Sequence, residues 1–213
     1  MANGHQAGSL ILNQLKTFNE SVVYFNQVIS PAVLGGINSC VDKFCQNGEN
    51  WVGEFKFVED TDCWLTPTHW VINQQDEKYI DCKAWFCIDS INDDDDFWEA
   101  LFCNVGCNGG EAGFIFDYNI KAIGGKTAWK NSIKAEDKTL AEITKLGLKN
   151  MGDGRFFLPV KLDLQLLAKT WDESGEFTAE DDCFQPIRDA LDTLAKSVPF
   201  FDTLMQSGQS KTK

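Results

Sequence analysis

Asp81-Cys82-Lys83 sets a carboxylate and an ammonium two residues apart, and in an extended strand residues two apart point to the same side. Such a pair could hold a divalent ion through the acid while the lysine positions an attacking water or stabilises developing charge. Glu54-Phe55-Lys56 repeats the triplet, so the spacing also fits a solvent-exposed ion pair of small energetic value. A second group is Asp93, Asp94, Asp95 and Asp96, directly ahead of Phe97 and Trp98. Contiguous acids point around a helix and do not converge on one ion, and they lack the alternating ligands and sixth-position glycine of an EF-hand loop. They suit a helix start, where Asn92 or Asp93 caps and the following carboxylates face the positive end of the dipole. Capping leaves most of these side chains in water, where they can also meet a cationic partner. A third group, Gly124-Gly125-Lys126-Thr127, matches only the end of a phosphate loop, because Ile120 stands where a glycine is needed. A flexible turn is expected there.

The elements around these residues follow from hydrophobic spacing. Leu12, Leu15, Phe18, Val22, Phe25 and Ile29 recur at helical intervals over residues 9–29. Ser30 is then expected to cap a second helix with Pro31 at its first position, and Val33, Ile37, Val41 and Phe44 continue an apolar side towards Gly48. From Trp51 the period shifts towards two, predicting strands near 51–58, 64–72 and 79–89, the second at an edge because of Pro67. A short helix through Phe97, Leu101 and Phe102, a fourth strand over 112–118 and a basic helix over 136–150 follow. Residues 156–167 read as β-rich, 180–196 as an acidic helix, and Phe200, Phe201, Leu204 and Met205 as a short terminal helix before a mobile tail, 207–213. Helices, sequential strands and further helices predict a single α+β domain over 1–206. Its sheet should be mostly antiparallel or mixed, of about five strands, with an N-terminal helical segment over about 9–47 and C-terminal helices packed on it.

With Asp62 opening the second predicted strand and Asp81-Cys82-Lys83 on the third, residues 9–118 resemble the PD-(D/E)XK nuclease superfamily, whose core runs helix, three strands, helix, strand. The resemblance implies a nuclease, or an inactive descendant, in which Asp62 and Asp81 hold Mg²⁺ or Mn²⁺ and Lys83 assists the attacking water on a nucleic acid. Glu20 would be the optional helical acid. Thr61 stands where the family has a proline before the first acid.

The charge distribution points elsewhere. The 213 residues carry a net charge of -13. Residues 51–120 hold 15 acidic side chains against 3 basic ones, whereas 121–170 hold 10 basic against 5 acidic. A central block this acidic argues against sequence-independent DNA binding, which needs clustered Lys and Arg, and favours a basic protein partner. Exposed aromatics such as Trp64, Trp70 or Trp98 could anchor it, with Asp93, Asp94, Asp95 and Asp96 steering the encounter. The expectation is an acidic binding protein of inhibitor, antitoxin or immunity type that needs no cofactor. The eight cysteines lack close zinc-type pairing, His5 and His69 add no ligand cluster, and neither an export signal nor a membrane span is evident. Reduced thiols in a cytoplasmic protein are therefore expected.

Overall fold

The computed structural model describes residues 2–48, 50–60, 62–76, 79–92 and 96–209. Six antiparallel strands, β1 (Trp51–Lys56), β2 (Asp62–Pro67), β5 (Ala84–Ile91), β6 (Glu111–Tyr118), β8 (Phe156–Pro159) and β7 (Lys149–Asn150), pair in the order β1-β2-β5-β6-β8-β7. A two-stranded extension, β3 (Val71–Asp76) with β4 (Tyr79–Cys82), prolongs the hairpin between β2 and β5. Alternation along the strands gives the main sheet two unlike faces. One row crosses it as Leu65, Phe86, Phe116 and Phe156; its neighbour crosses as Glu54, Trp64, Cys87, Ile115, Phe157 and Lys149.

The first face carries the core. Helix α3 (Ser30–Asn47) buries Val33, Leu34, Ile37 and Val41 on it, and helix α9 (Gln185–Gln209) buries Ile187, Leu191, Leu194, Phe201, Leu204 and Met205. Phe201 stacks on Phe116 with ring centroids 3.9 Å apart and planes 6° from parallel. The short helices α4 (Phe57–Asp60) and α5 (Trp98–Phe102) add Phe57 and Phe102, helix α6 (Lys126–Ala135) adds Trp129, α7 (Asp137–Lys145) adds Ile143, and α8 (Leu164–Ser174) adds Leu167. Close approach is essential at Gly113, where a Cβ would lie 2.1 Å from the Leu158 carbonyl oxygen across the ladder. The architecture is α+β with N- and C-terminal helices, as expected, and among the described residues no helix is long and apolar enough to cross a membrane.

Several elements differ from the sequence reading. Ser30 does not cap a new helix. Helices α1 (Ala2–Asn13) and α2 (Leu15–Tyr24) lead through a wide π-helical turn, Phe25–Ile29, straight into α3, and the Ser30 N–H bonds to the Phe25 carbonyl five residues back. That wider turn sits beside Pro31, whose missing N–H would otherwise interrupt the ladder. Strand β2 lies between β1 and β5 rather than at an edge; Pro67 is its last residue, where no further donor is required. The segment 79–89 is not one strand. It bends at Lys83, whose N–H bonds to Trp70 O and whose carbonyl accepts from Asn119 N–H, each at 2.8 Å.

The stretch 136–150 is helical only over Asp137–Lys145, and Gly147 at φ 95° turns the chain into β7. Lys126 and Thr127, expected in a turn, open α6 behind Gly124 and Gly125, both at positive φ. Of the β-rich stretch 156–167 only Phe156–Pro159 is strand; Asp163 Oδ1 then accepts from Gln165 N (2.8 Å) and Leu166 N (3.2 Å) to start α8. The two expected C-terminal helices are one, continuous through Pro199. Residues 187, 191, 194, 198, 201 and 205 share its inner side, and their packing outweighs the lost backbone bond. The helix reaches Gln209, the Ser207 hydroxyl bonds to Glu136 Oε1 at 2.8 Å, and residues 210–213 of the expected tail lie outside the described residues.

Candidate functional site

Among the described residues, no helix packs its buried side chains on the second sheet face, which is called the open face below. The buried residues of the described helices gather on the opposite side, and Ile115 and Phe157, though buried, stand outside the main core cluster. The Lys149 ammonium lies over the Phe157 ring, 5.9 Å from its centroid. Glu54, Asp62, Asp89, Glu111 and Asp117 share this face, against Lys56, Lys149 and Arg155. Asp89, Asp117 and Asp62 all lie close enough to Cys87 to reinforce the effect of burial, which together push its thiol up to about 12.

At one end of the face, where the hairpin bends at Lys83, a cleft of about 400 Å³ is lined by Glu54, Trp64, Ile80, Asp81, Trp85 and Asn119, among others. Trp64 and Trp85 are half-buried, so their rings remain partly accessible. Asp81 Oδ1 accepts from Asn119 Nδ2 at 3.3 Å. The Lys56 ammonium hydrogen-bonds Glu54 and holds its carboxyl below the usual carboxylate range, with a smaller contribution from the Trp64 indole. Two carboxylates and two indoles thus border one concavity. Indole faces attract cations, and carboxylates accept from ammonium or guanidinium donors, so the cleft is chemically suited to a Lys or Arg side chain.

Asp62, Asp81 and Lys83, the residues implied by the nuclease resemblance, line no common cavity. Asp81 lines this cleft, whereas Lys83 lines a separate cavity of about 150 Å³ with His69, Trp70, Asp202, Met205 and Gln206. The same-side argument for Asp81 and Lys83 fails because Lys83 sits at the bend between β4 and β5. Asp62 is on the open face but lines neither cavity. Among the described residues, no group of three or more His, Cys, Asp or Glu side chains is placed to hold a metal ion. Asp62 and Asp81 line no common cavity, so they do not fit a Mg²⁺ or Mn²⁺ site held by both.

Of the proposed partner-binding residues, Asp93, Asp94 and Asp95 lie outside the described residues. Asp96 Oδ2 accepts from Cys107 N at 2.7 Å, folding back over the loop that follows α5. Asn92 does not cap α5, which starts six residues later at Trp98 with Phe97 in the cap position. Trp98 is half-buried and packs edge-on against Phe57 at 5.0 Å, so its ring belongs mainly to the core. Trp70 is buried as well and donates from Nε1 to Asp202 Oδ1 at 2.7 Å. Trp64 is the suggested anchor that faces the open side.

Glu54, Trp85 and Asn119 were not legible as site residues. Only the register puts Glu54 opposite Trp64, and only the bend brings Asn119 to Asp81. Comparisons with family models, curated proteins and solved structures find no match for this chain.

Proposed function

We propose that this protein binds a basic protein partner through the open sheet face and inhibits it by occupying its cationic surface. The observation carrying this reading is the joining of Glu54, Asp81, Trp64 and Trp85 around one cleft, on a face that also bears Asp62, Asp89, Glu111 and Asp117. The carboxylates steer a positive surface towards the face. The cleft then takes one Lys or Arg side chain, with each cation–π contact contributing about 0.5–2 kcal/mol. Lys56, Lys149 and Arg155 offset part of the charge along the face and limit indiscriminate attraction.

The test is a titration with an arginine-rich peptide, read by tryptophan fluorescence. Saturable quenching that weakens with added salt is expected, and Asp81→Asn combined with Trp85→Ala should weaken it at least tenfold, about 1.4 kcal/mol. Equal binding by wild type and the double variant, or absence of saturation, rejects the cleft as the cation site.

A further inference from the structure

We infer that the N-terminal helical arm is a self-association element whose occupant is the arm of a second copy of this chain. Helices α1 and α2 leave the domain with no buried residue from 5 to 24. Eight of the fourteen exposed large hydrophobic residues among those described lie between 10 and 28, including Leu10 at 63%, Leu12 at 70%, Leu15 at 54% and Phe18 at 46% exposure. Among the described residues nothing covers these side chains, and Ile11, Leu15 and Phe18 share one side of the arm.

Its spacing selects a helix as the partner. Along α2 and into the π-helical turn, Leu15, Phe18, Val22 and Phe25 follow intervals of 3, 4 and 3, the 3.5-residue repeat that keeps an apolar seam facing another helix, and Ile11 precedes them on α1 across the turn at Gln14. Positions flanking that seam are Leu12, Gln14, Asn19 and Ser21, all uncharged. The charged residues of 2–41 are Lys16 and Glu20, which lie off the seam and cancel. In a chain of net charge -13, the arm is a stretch two copies can bring together without like-charge repulsion. A lipid surface fits less well, because membrane-lying helices characteristically carry Lys and Arg along the polar side, and this arm has Lys16 alone beside Glu20.

Geometry supports a reversible pairing. Phe25, at the base of the seam, packs edge-on against Phe97 at 4.9 Å, anchoring the arm where it joins the domain. Burying Ile11, Leu12, Leu15, Phe18 and Val22 from both copies, at about 60–120 Å² each, removes on the order of 1,000 Å² from water, about the threshold for a biological interface and below the standard size. The association expected is of the weak, reversible class. It does not use the open sheet face, which stays free for a basic ligand.

The test is the mass of the full chain by light scattering after gel filtration at about 100 µM, a concentration that populates a micromolar dimer. Wild type should run at twice the chain mass, and Leu15→Glu combined with Phe18→Glu should run at the chain mass. Because neither residue contributes to the core, helical circular dichroism and the urea midpoint should be unchanged when both proteins are measured at a concentration too low to pair. A monomeric wild type, or a dimer that survives both substitutions, overturns the inference. So does a monomeric wild type that sediments with phosphatidylcholine vesicles through the same two residues, which would assign the arm to lipid.

Discussion

Trp70 Nε1 donates a 2.7 Å hydrogen bond to Asp202 Oδ1, and His69 Nε2 lies 3.0 Å from the same oxygen. One carboxylate on α9 thus fastens the bend of the long hairpin to the C-terminal helix. The hairpin's position decides where Asp81 sits relative to Trp64 and Trp85, so a contact on the core side supports the cleft on the open side. Asp202→Ala leaves the buried Trp70 N–H without its acceptor and should cost about 1–3 kcal/mol. Asp202→Asn retains an acceptor oxygen and should cost less. Urea denaturation ranks the pair; equal losses would show that the Trp70 bond is not the stabilising part.

Phe201 is enclosed by Trp70, Phe86, Phe116 and Phe156, and stacks flat on Phe116. Truncating it removes a large side chain from the centre of the core, where little can collapse into the space. Phe201→Ala should lower unfolding free energy by about 3–5 kcal/mol. A loss below about 1 kcal/mol, the scale of a surface change, would place this ring outside the cooperative core.

Glu99 is buried on α5, and among the described residues neither of its carboxylate oxygens has a hydrogen-bond partner. Removing a buried polar group that lacks compensation is favourable, so Glu99→Leu should raise stability by about 1 kcal/mol or more. Glu99→Gln keeps polar atoms in place and should gain less. A lower urea midpoint for the leucine variant would mean the carboxylate is satisfied in solution.

Burial raises several thiols: Cys40 and Cys82 to about 11, and Cys63 still further. An unfolded thiol ionises near pH 9 whereas these folded ones stay neutral, so the stabilisation is complete below that pH and declines as pH rises towards the folded values. Each fully buried thiol should contribute a slope of at most about 1.4 kcal/mol per pH unit in that window. Stability measured from pH 8 to pH 10.5 should fall, and replacing Cys63 by Ala should flatten the decline. Iodoacetamide should label exposed Cys107 first in the native protein, with Cys40, Cys63 and Cys183 reacting on unfolding. Prompt native labelling of Cys63 would contradict its burial.

Local pattern was enough to reveal the α+β class, the apolar side of α3 through Val33, Ile37 and Val41, and the shift from Trp51 to the period of a strand. Each of these depends on neighbours three or four residues away in a helix, or two away in a strand, so the chain carries them by itself. The acidic character of residues 51–120 is equally a property of the chain. Tertiary structure decided which sheet face stays open, because α3 and α9 come from opposite ends of the sequence and meet on one side. It also decided that Asp81 and Lys83 part company. Backbone bonds from Lys83 to Trp70 and Asn119, 13 and 36 positions away, impose a bend that no local spacing encodes. Pro199 shows the same hierarchy: its local preference breaks a helix, and the burial of Phe201 and Leu204 beyond it keeps the helix whole.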